Sequence, residues 1–168
     1  TFDGGNHTIS NLTSVLDSST GTKYGNGLFG DITGGAILKN FVVKNANVYD
    51  AVDGKGNVYG IVCGYAYGDV TFENISVEDS RVSAFGKVGA ILGMAADGSG
   101  TTTINNCSIK NVTLIGTYNV APFVGLLQNE ISLSGNTKSN VTWEYSCRST
   151  SADYMNVVDG VIDGTATK

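Results

Sequence analysis

The chain is poor in the residues that most often carry chemistry. Its 168 residues include one histidine, one tryptophan, three cysteines and one proline. Zinc-protease chemistry of the H-E-x-x-H type needs two histidines and is excluded by the lone His7. Cys63, Cys107 and Cys147 show no metal-ligand spacing, and an odd number cannot all pair internally. They read as buried thiols acting as small apolar side chains, with a Cys107–Cys147 bridge as the sharper alternative. Charge is sparse as well: 10 basic residues against 15 acidic ones give a net −5. The basic residues are scattered, whereas a phosphate-binding surface needs them clustered, so nucleic acid is not an expected partner. No apolar run approaches the length needed to cross a bilayer, so no membrane insertion by this segment is expected. No stretch sustains apolar residues at helical spacing, and Ala, Glu and Lys are too few for long helices. The chain opens at Thr1 in mid-repeat, as expected of a segment excised from a larger protein.

What is present is glycine, with 23 residues, together with many Thr, Ser, Asn and Val, a mixture suited to short strands and tight turns. Two motifs recur in step. One reads Ile9-Ser10-Asn11-Leu12, Leu38-Lys39-Asn40-Phe41, Phe72-Glu73-Asn74-Ile75 and Ile104-Asn105-Asn106-Cys107, with its asparagines 29, 34 and 32 residues apart. The other reads Gly27-Leu28-Phe29-Gly30, Ile61-Val62-Cys63-Gly64, Ala90-Ile91-Leu92-Gly93 and Pro122-Phe123-Val124-Gly125, with closing glycines 34, 29 and 32 apart. Two unrelated motifs keeping step over four cycles predict a parallel β-solenoid, expected to be right-handed, in which each unit buries its apolar face against the next.

Within a unit the residues after the repeated asparagine alternate, as in Phe41 and Val43, Ile75 and Val77, Cys107 and Ile109, which predicts half-buried strands with these side chains inward. Five residues on, Asn45, Asp79 or Asn111 marks a second turn, after which Val48, Val82 or Leu114 re-enters the core. The glycine motif sits in near-continuous apolar runs, Val58–Gly64 and Lys87–Gly93, and implies a tight corner or close backbone approach. Stacking predicts a ladder of Asn11, Asn40, Asn74 and Asn106, each amide bonding to the adjacent coil at a corner water cannot reach. About five coils of 29–34 residues with protruding loops are expected over residues 1–147, with units near 1–30, 31–64, 65–93, 94–125 and 126–147. The last unit is degenerate, with Gly135 at the ladder position and Asn136 at the apolar position after it. Residues 148–168 read as a cap or a linker to the next module.

The opening Thr1-Phe2-Asp3-Gly4-Gly5-Asn6-His7-Thr8-Ile9-Ser10-Asn11-Leu12, followed by Gly27-Leu28-Phe29-Gly30, resembles the GLUG-type repeats of large bacterial surface proteins. Those carry a phrase close to F-x-G-N-G-H-T-I-x-N-L before G-L-F-G; here the order is Gly4-Gly5-Asn6-His7, and later units lose the literal G-L-F-G. The resemblance covers roughly residues 1–130. It implies an extracellular β-solenoid at the bacterial cell surface, in an adhesin-like protein. It also implies a host glycan or surface protein as partner, beside neighbouring modules of the larger chain. Such repeats also accompany surface peptidases that cleave immunoglobulin A, as a non-catalytic part, and they share no catalytic residues.

The residues themselves give no catalytic cluster. Polysaccharide-cleaving β-helices, the rival reading, need carboxylates gathered on one face. Here Asp31, Asp50, Asp53, Asp69 and Asp97 are single, and Glu78 and Asp79 are neighbours that point to opposite faces of a strand. No cofactor or metal is expected; the loop from Asp50 to Asn57 lacks the acidic pattern of a calcium site. Six Asn-x-Ser/Thr triplets, at Asn6, Asn11, Asn74, Asn106, Asn111 and Asn140, follow from the strand pattern. The expected ligand contact is the loop-bearing edge at Tyr65, Tyr67 and Asp97, where alternation puts both tyrosines on one face.

Overall fold

The computed structural model describes residues 1–16, 25–51, 57–96, 98, 100–145 and 164–166. The first coil contains β1 (Phe2–Ser10), β2 (Thr13–Leu16), β3 (Gly25–Asn26) and β4 (Phe29–Thr33). The second contains β5 (Ala36–Lys44), β6 (Asn47–Asp50), β7 (Asn57–Gly60) and β8 (Cys63–Tyr67). In the third, β9 (Val70–Ser83) runs through both corners and is followed by β10 (Gly86–Gly89) and β11 (Leu92–Ala95). The fourth has β12 (Thr101–Asn105), β13 (Ser108–Gly116), β14 (Val120–Ala121) and β15 (Val124–Leu127). A fifth turn is partial, with β16 (Glu130–Ser134) and β17 (Thr137–Tyr145), and β18 (Gly164–Ala166) pairs antiparallel to β16. The pairs between coils are parallel, so the chain is a β-solenoid of about four turns rather than five.

The core follows the alternation. Phe41, Val43, Ile75, Val77, Cys107 and Ile109 are all buried, and Phe41 pairs with Ile75 in the next coil. Val48, Val82 and Leu114 return to the interior after the second corner. Side chains of this size contribute about 1.5–3 kcal/mol each when fully buried, and here like stacks on like from coil to coil. Cys63 and Cys107 are buried free thiols. Burial pushes the Cys107 thiol up to about 12, which leaves it inert. Cys147 lies outside the described residues.

The corners are left-handed. Asn40, Asn74 and Asn106 have φ of 58°, 52° and 52°, with Gly135 following in the same column at 65°. Asn45, Asp79, Asn111 and Asn140 form a second column at φ 54°, 49°, 54° and 51°. Asparagine tolerates this region because its short side chain hydrogen-bonds locally. The Asn74 amide donates to Asn40 Oδ1 at 3.1 Å, and Asn40 donates to Asp3 Oδ1 at 3.1 Å. In the second column Asn140 donates to Asn111 Oδ1 at 2.9 Å and Asn111 to Asp79 Oδ1 at 2.8 Å. The Asn111 amide, and then Lys44, hold the Asp79 carboxyl below its ordinary value.

Two expectations need correction. Asn11 does not share a column with Asn40: Ser10 pairs with Lys44, so Asn11 stands opposite Asn45 in the second column. The pairing sets His7 rather than Leu12 opposite Phe41, beyond a register shift between Asp3 and His7. The ladder is also not sheltered from water, because Asn74 and Asn106 are exposed. What the corner demands is the backbone conformation. Asn74→Ala is therefore expected to cost about 1–2 kcal/mol, the penalty of left-handed backbone for an ordinary residue, while Asn74→Gly is nearly neutral. Urea unfolding of the two variants checks this; equal losses would assign the stability to the side-chain bond instead.

The glycine runs also differ from a single strand. Each folds back on itself, at Ile61-Val62, Ala90-Ile91 and Pro122-Phe123, into two short strands that join different four-stranded parallel sheets. One sheet is β3, β7, β10 and β14; the other is β4, β8, β11 and β15. Their backbones touch. A β-carbon at Gly93 would lie 2.7 Å from the nitrogen and oxygen of Tyr59 across the interface, and one at Gly125 would lie 2.7 Å from the Val88 nitrogen. Recurring glycine thus makes a double layer too thin for any side chain.

Candidate functional site

Two surfaces stand out. The first is the rim foreseen from sequence. Tyr65 and Tyr67 both lie in β8, with Asp31 and Met94 flanking Tyr65 in the adjacent coils and Thr33 beside Tyr67. Tyr67 is 46% exposed and Tyr65 is half-buried. Burial, then the negative charge of Asp31, raises the Tyr65 hydroxyl above its ordinary value. Asp31 is occupied as a brace, accepting a hydrogen bond from the Gly25 nitrogen at 2.7 Å. The loop of the next coil reaches Tyr67: a β-carbon at Gly98 would sit 2.8 Å from its ring. The coils therefore bring that loop onto the tyrosine rim; Asp97 itself lies outside the described residues. The structural asparagines Asn40, Asn74 and Asn106 belong to a different edge, at the first corner of each coil.

The second surface was not foreseen. A groove of about 720 Å³ opens on the outer face of the strands that follow the second corner. Its floor is one register column, Tyr49, Ser83, Ile115 and Glu144, supplied by four successive coils. Beside it stand Asn47 and Arg81, paired across β6 and β9. Phe85 forms part of the wall and is held edge-to-face against Tyr118, with ring centroids 5.8 Å apart. Asp50 reaches the groove while accepting a hydrogen bond from the buried Tyr59 hydroxyl at 2.6 Å, which fixes it from behind. Burial, reinforced by Asp50, raises the Tyr59 hydroxyl far above its ordinary value, so it acts as a permanent donor.

The sequence did contain a signal for this groove. Val48, Val82 and Leu114 are inward, so Tyr49, Ser83 and Ile115 must face outward, and an outward tyrosine and isoleucine at one phase are unusual for a solvated strand. The wall could not be read that way, because Phe85 and Thr117 sit in the variable link to the glycine layer.

Carboxylates do meet in the groove, but not as a pair. Counting strands from Tyr49 to Glu144 gives three coil spacings, which separates the ends of the floor by about 14 Å. Asp50 follows Tyr49 directly, so its backbone stands about as far from Glu144; glycoside hydrolysis uses carboxyl groups about 5–9.5 Å apart. Among the described residues no three or more His, Cys, Asp or Glu side chains converge as metal ligands. No protein-family model, curated protein or solved structure matches the chain.

Proposed function

We propose that the chain is a non-catalytic structural and binding module of a bacterial cell-surface or secreted protein, adhesin-like in role. The observation that supports it is the continuous parallel pairing of the first four coils, each with the next, in three separate sheets. That arrangement makes a stiff scaffold on which variable loops and the exposed Tyr67 are held at a fixed rim. The likeness of the opening phrase to GLUG repeats agrees with this reading. A partner at the tyrosine rim would be a host glycan or surface protein, stacking on rings whose hydroxyls stay wet.

Binding of the chain to glycan and surface-protein arrays tests the proposal. Tyr67→Ala is expected to weaken a retained partner by about 1 kcal/mol or more with little change in unfolding midpoint. A polysaccharide-cleaving enzyme is the rival reading. It would be established by depolymerisation by the pure chain that disappears on replacing Asp50 or Glu144.

A further inference from the structure

We propose that the groove beside β6, β9, β13 and β17 is a second binding site, and that its ligand is a neutral oligosaccharide lying along the stack. The inference rests on the reading of the chain as a binding module but does not depend on the tyrosine rim.

The shape comes first. A volume of about 720 Å³ is within the range of about 300–1,000 Å³ usual for small-ligand sites. Because the floor is built from one residue of each of four coils, the groove is elongated along the stack, as an oligomeric ligand requires.

The lining then selects the chemistry. Apolar and hydrogen-bonding groups alternate along the floor: the Tyr49 ring, the Ser83 hydroxyl, the Ile115 side chain and the Glu144 carboxylate. A pyranose presents the same mixture, with C–H faces that pack on Tyr49 and Phe85 and hydroxyls that reach donors and acceptors. Arg81 is exposed and makes no ion pair among the described residues, so its guanidinium is available to donate to ring and hydroxyl oxygens. Asp50 and Glu144 supply acceptors for hydroxyl protons.

The charge and the backbone exclude the nearest competitors. Among the described residues one guanidinium faces two carboxylates, so an acidic sugar or an acidic peptide would meet net repulsion in the groove. An extended peptide binds sheets by adding to a free edge. Here β9 and β13 beneath the groove are paired on both sides, with β6 and β17 as their outer neighbours. β6, β9 and β13 therefore offer side chains only; β17 is paired on one side among the described strands, and a strand added there would lie across the end of the groove, not along it.

Isothermal titration with cellopentaose, xylopentaose and mannopentaose as neutral probes, and with pentagalacturonate as the acidic one, tests the proposal. At least one neutral probe is expected to bind, and the acidic probe more weakly. Phe85→Ala and Arg81→Gln should each weaken the neutral probe about tenfold, while Tyr67→Ala leaves it unchanged. Thermal unfolding accompanies each variant. Should Phe85→Ala disturb the fold through its contact with Tyr118, the exposed Arg81→Gln decides. Absence of neutral binding, tighter acidic binding, or insensitivity to both groove variants would overturn the proposal. A partner on the arrays that depends on Tyr67, with no probe in the groove, would overturn this inference alone and leave the binding-module reading in place.

Discussion

Gly89→Ala is expected to destabilise the protein by about 3 kcal/mol or more, at the upper end of what a single methyl costs in a packed interior. The added carbon would collide with the Leu92 carbonyl oxygen and stand 2.8 Å from the Gly125 nitrogen. Both neighbours are backbone, so no rotamer change relieves the contact. Both belong to the second glycine sheet, which is locked in place by its own parallel pairs. The double layer would have to open across several coils to admit the methyl. Gly34→Ala serves as the control: its nearest neighbour is a backbone nitrogen 4.0 Å away, and a loss below about 0.5 kcal/mol is expected at such a site. Urea denaturation of the two variants measures the contrast. Equal stability would mean that the two layers slide apart readily and that glycine recurs for another reason.

Asn136→Ala is expected to cost about 1–3 kcal/mol, the penalty of leaving the buried Cys107 N–H without a partner. Asn136 is 1% exposed and occupies the interior column of Phe41, Ile75 and Cys107. Its Oδ1 accepts from the Cys107 nitrogen at 2.9 Å, and its Nδ2 donates to the Ile104 carbonyl at 2.7 Å. The side chain thus carries out between the fourth and fifth coils the pairing that backbone does elsewhere. Asn136→Leu, which restores an apolar residue to the column, should lose nearly as much, because the Cys107 N–H still goes unpaired. Full stability of the leucine variant, read by calorimetry, would show that packing rather than hydrogen bonding ties the fifth coil down.

These two residues show where sequence was informative and where it was not. The alternation around Phe41, Ile75 and Cys107 revealed the inward face because burial selects side chains one by one. Glycine at two recurring phases showed that something came close, but not that the run folds back into two sheets, since an apolar strand and an apolar arch have the same composition. Asn11 was placed in the wrong column for a related reason. Each coil has two left-handed corners, both favour asparagine, and both are followed by an inward residue, so the phrase Ile-Ser-Asn-Leu suits either. Only the register beyond the shift at Asp3 and His7 decides between them. The six Asn-x-Ser/Thr triplets have the same origin: a left-handed corner, a residue in register with an inward column, then an outward hydroxyl; in the triplet at Asn6 that middle residue, His7, is exposed. Tyr65 and Tyr67 were legible as a pair because a strand's period of two is unambiguous. The groove required four coils to be set in register, a relation that no local window contains.

The direction of the hydrogen bonds between coils governs how the molecule bears load. Each coil holds the next through rows of bonds that run along the axis of the stack. Tension applied along that axis separates facing rows without shearing them, so a coil is peeled away bond by bond. Tension across the stack must instead break a whole row at once. A rod of this kind resists lateral drag strongly and gives way to axial pull in steps of one coil, lengthening rather than snapping.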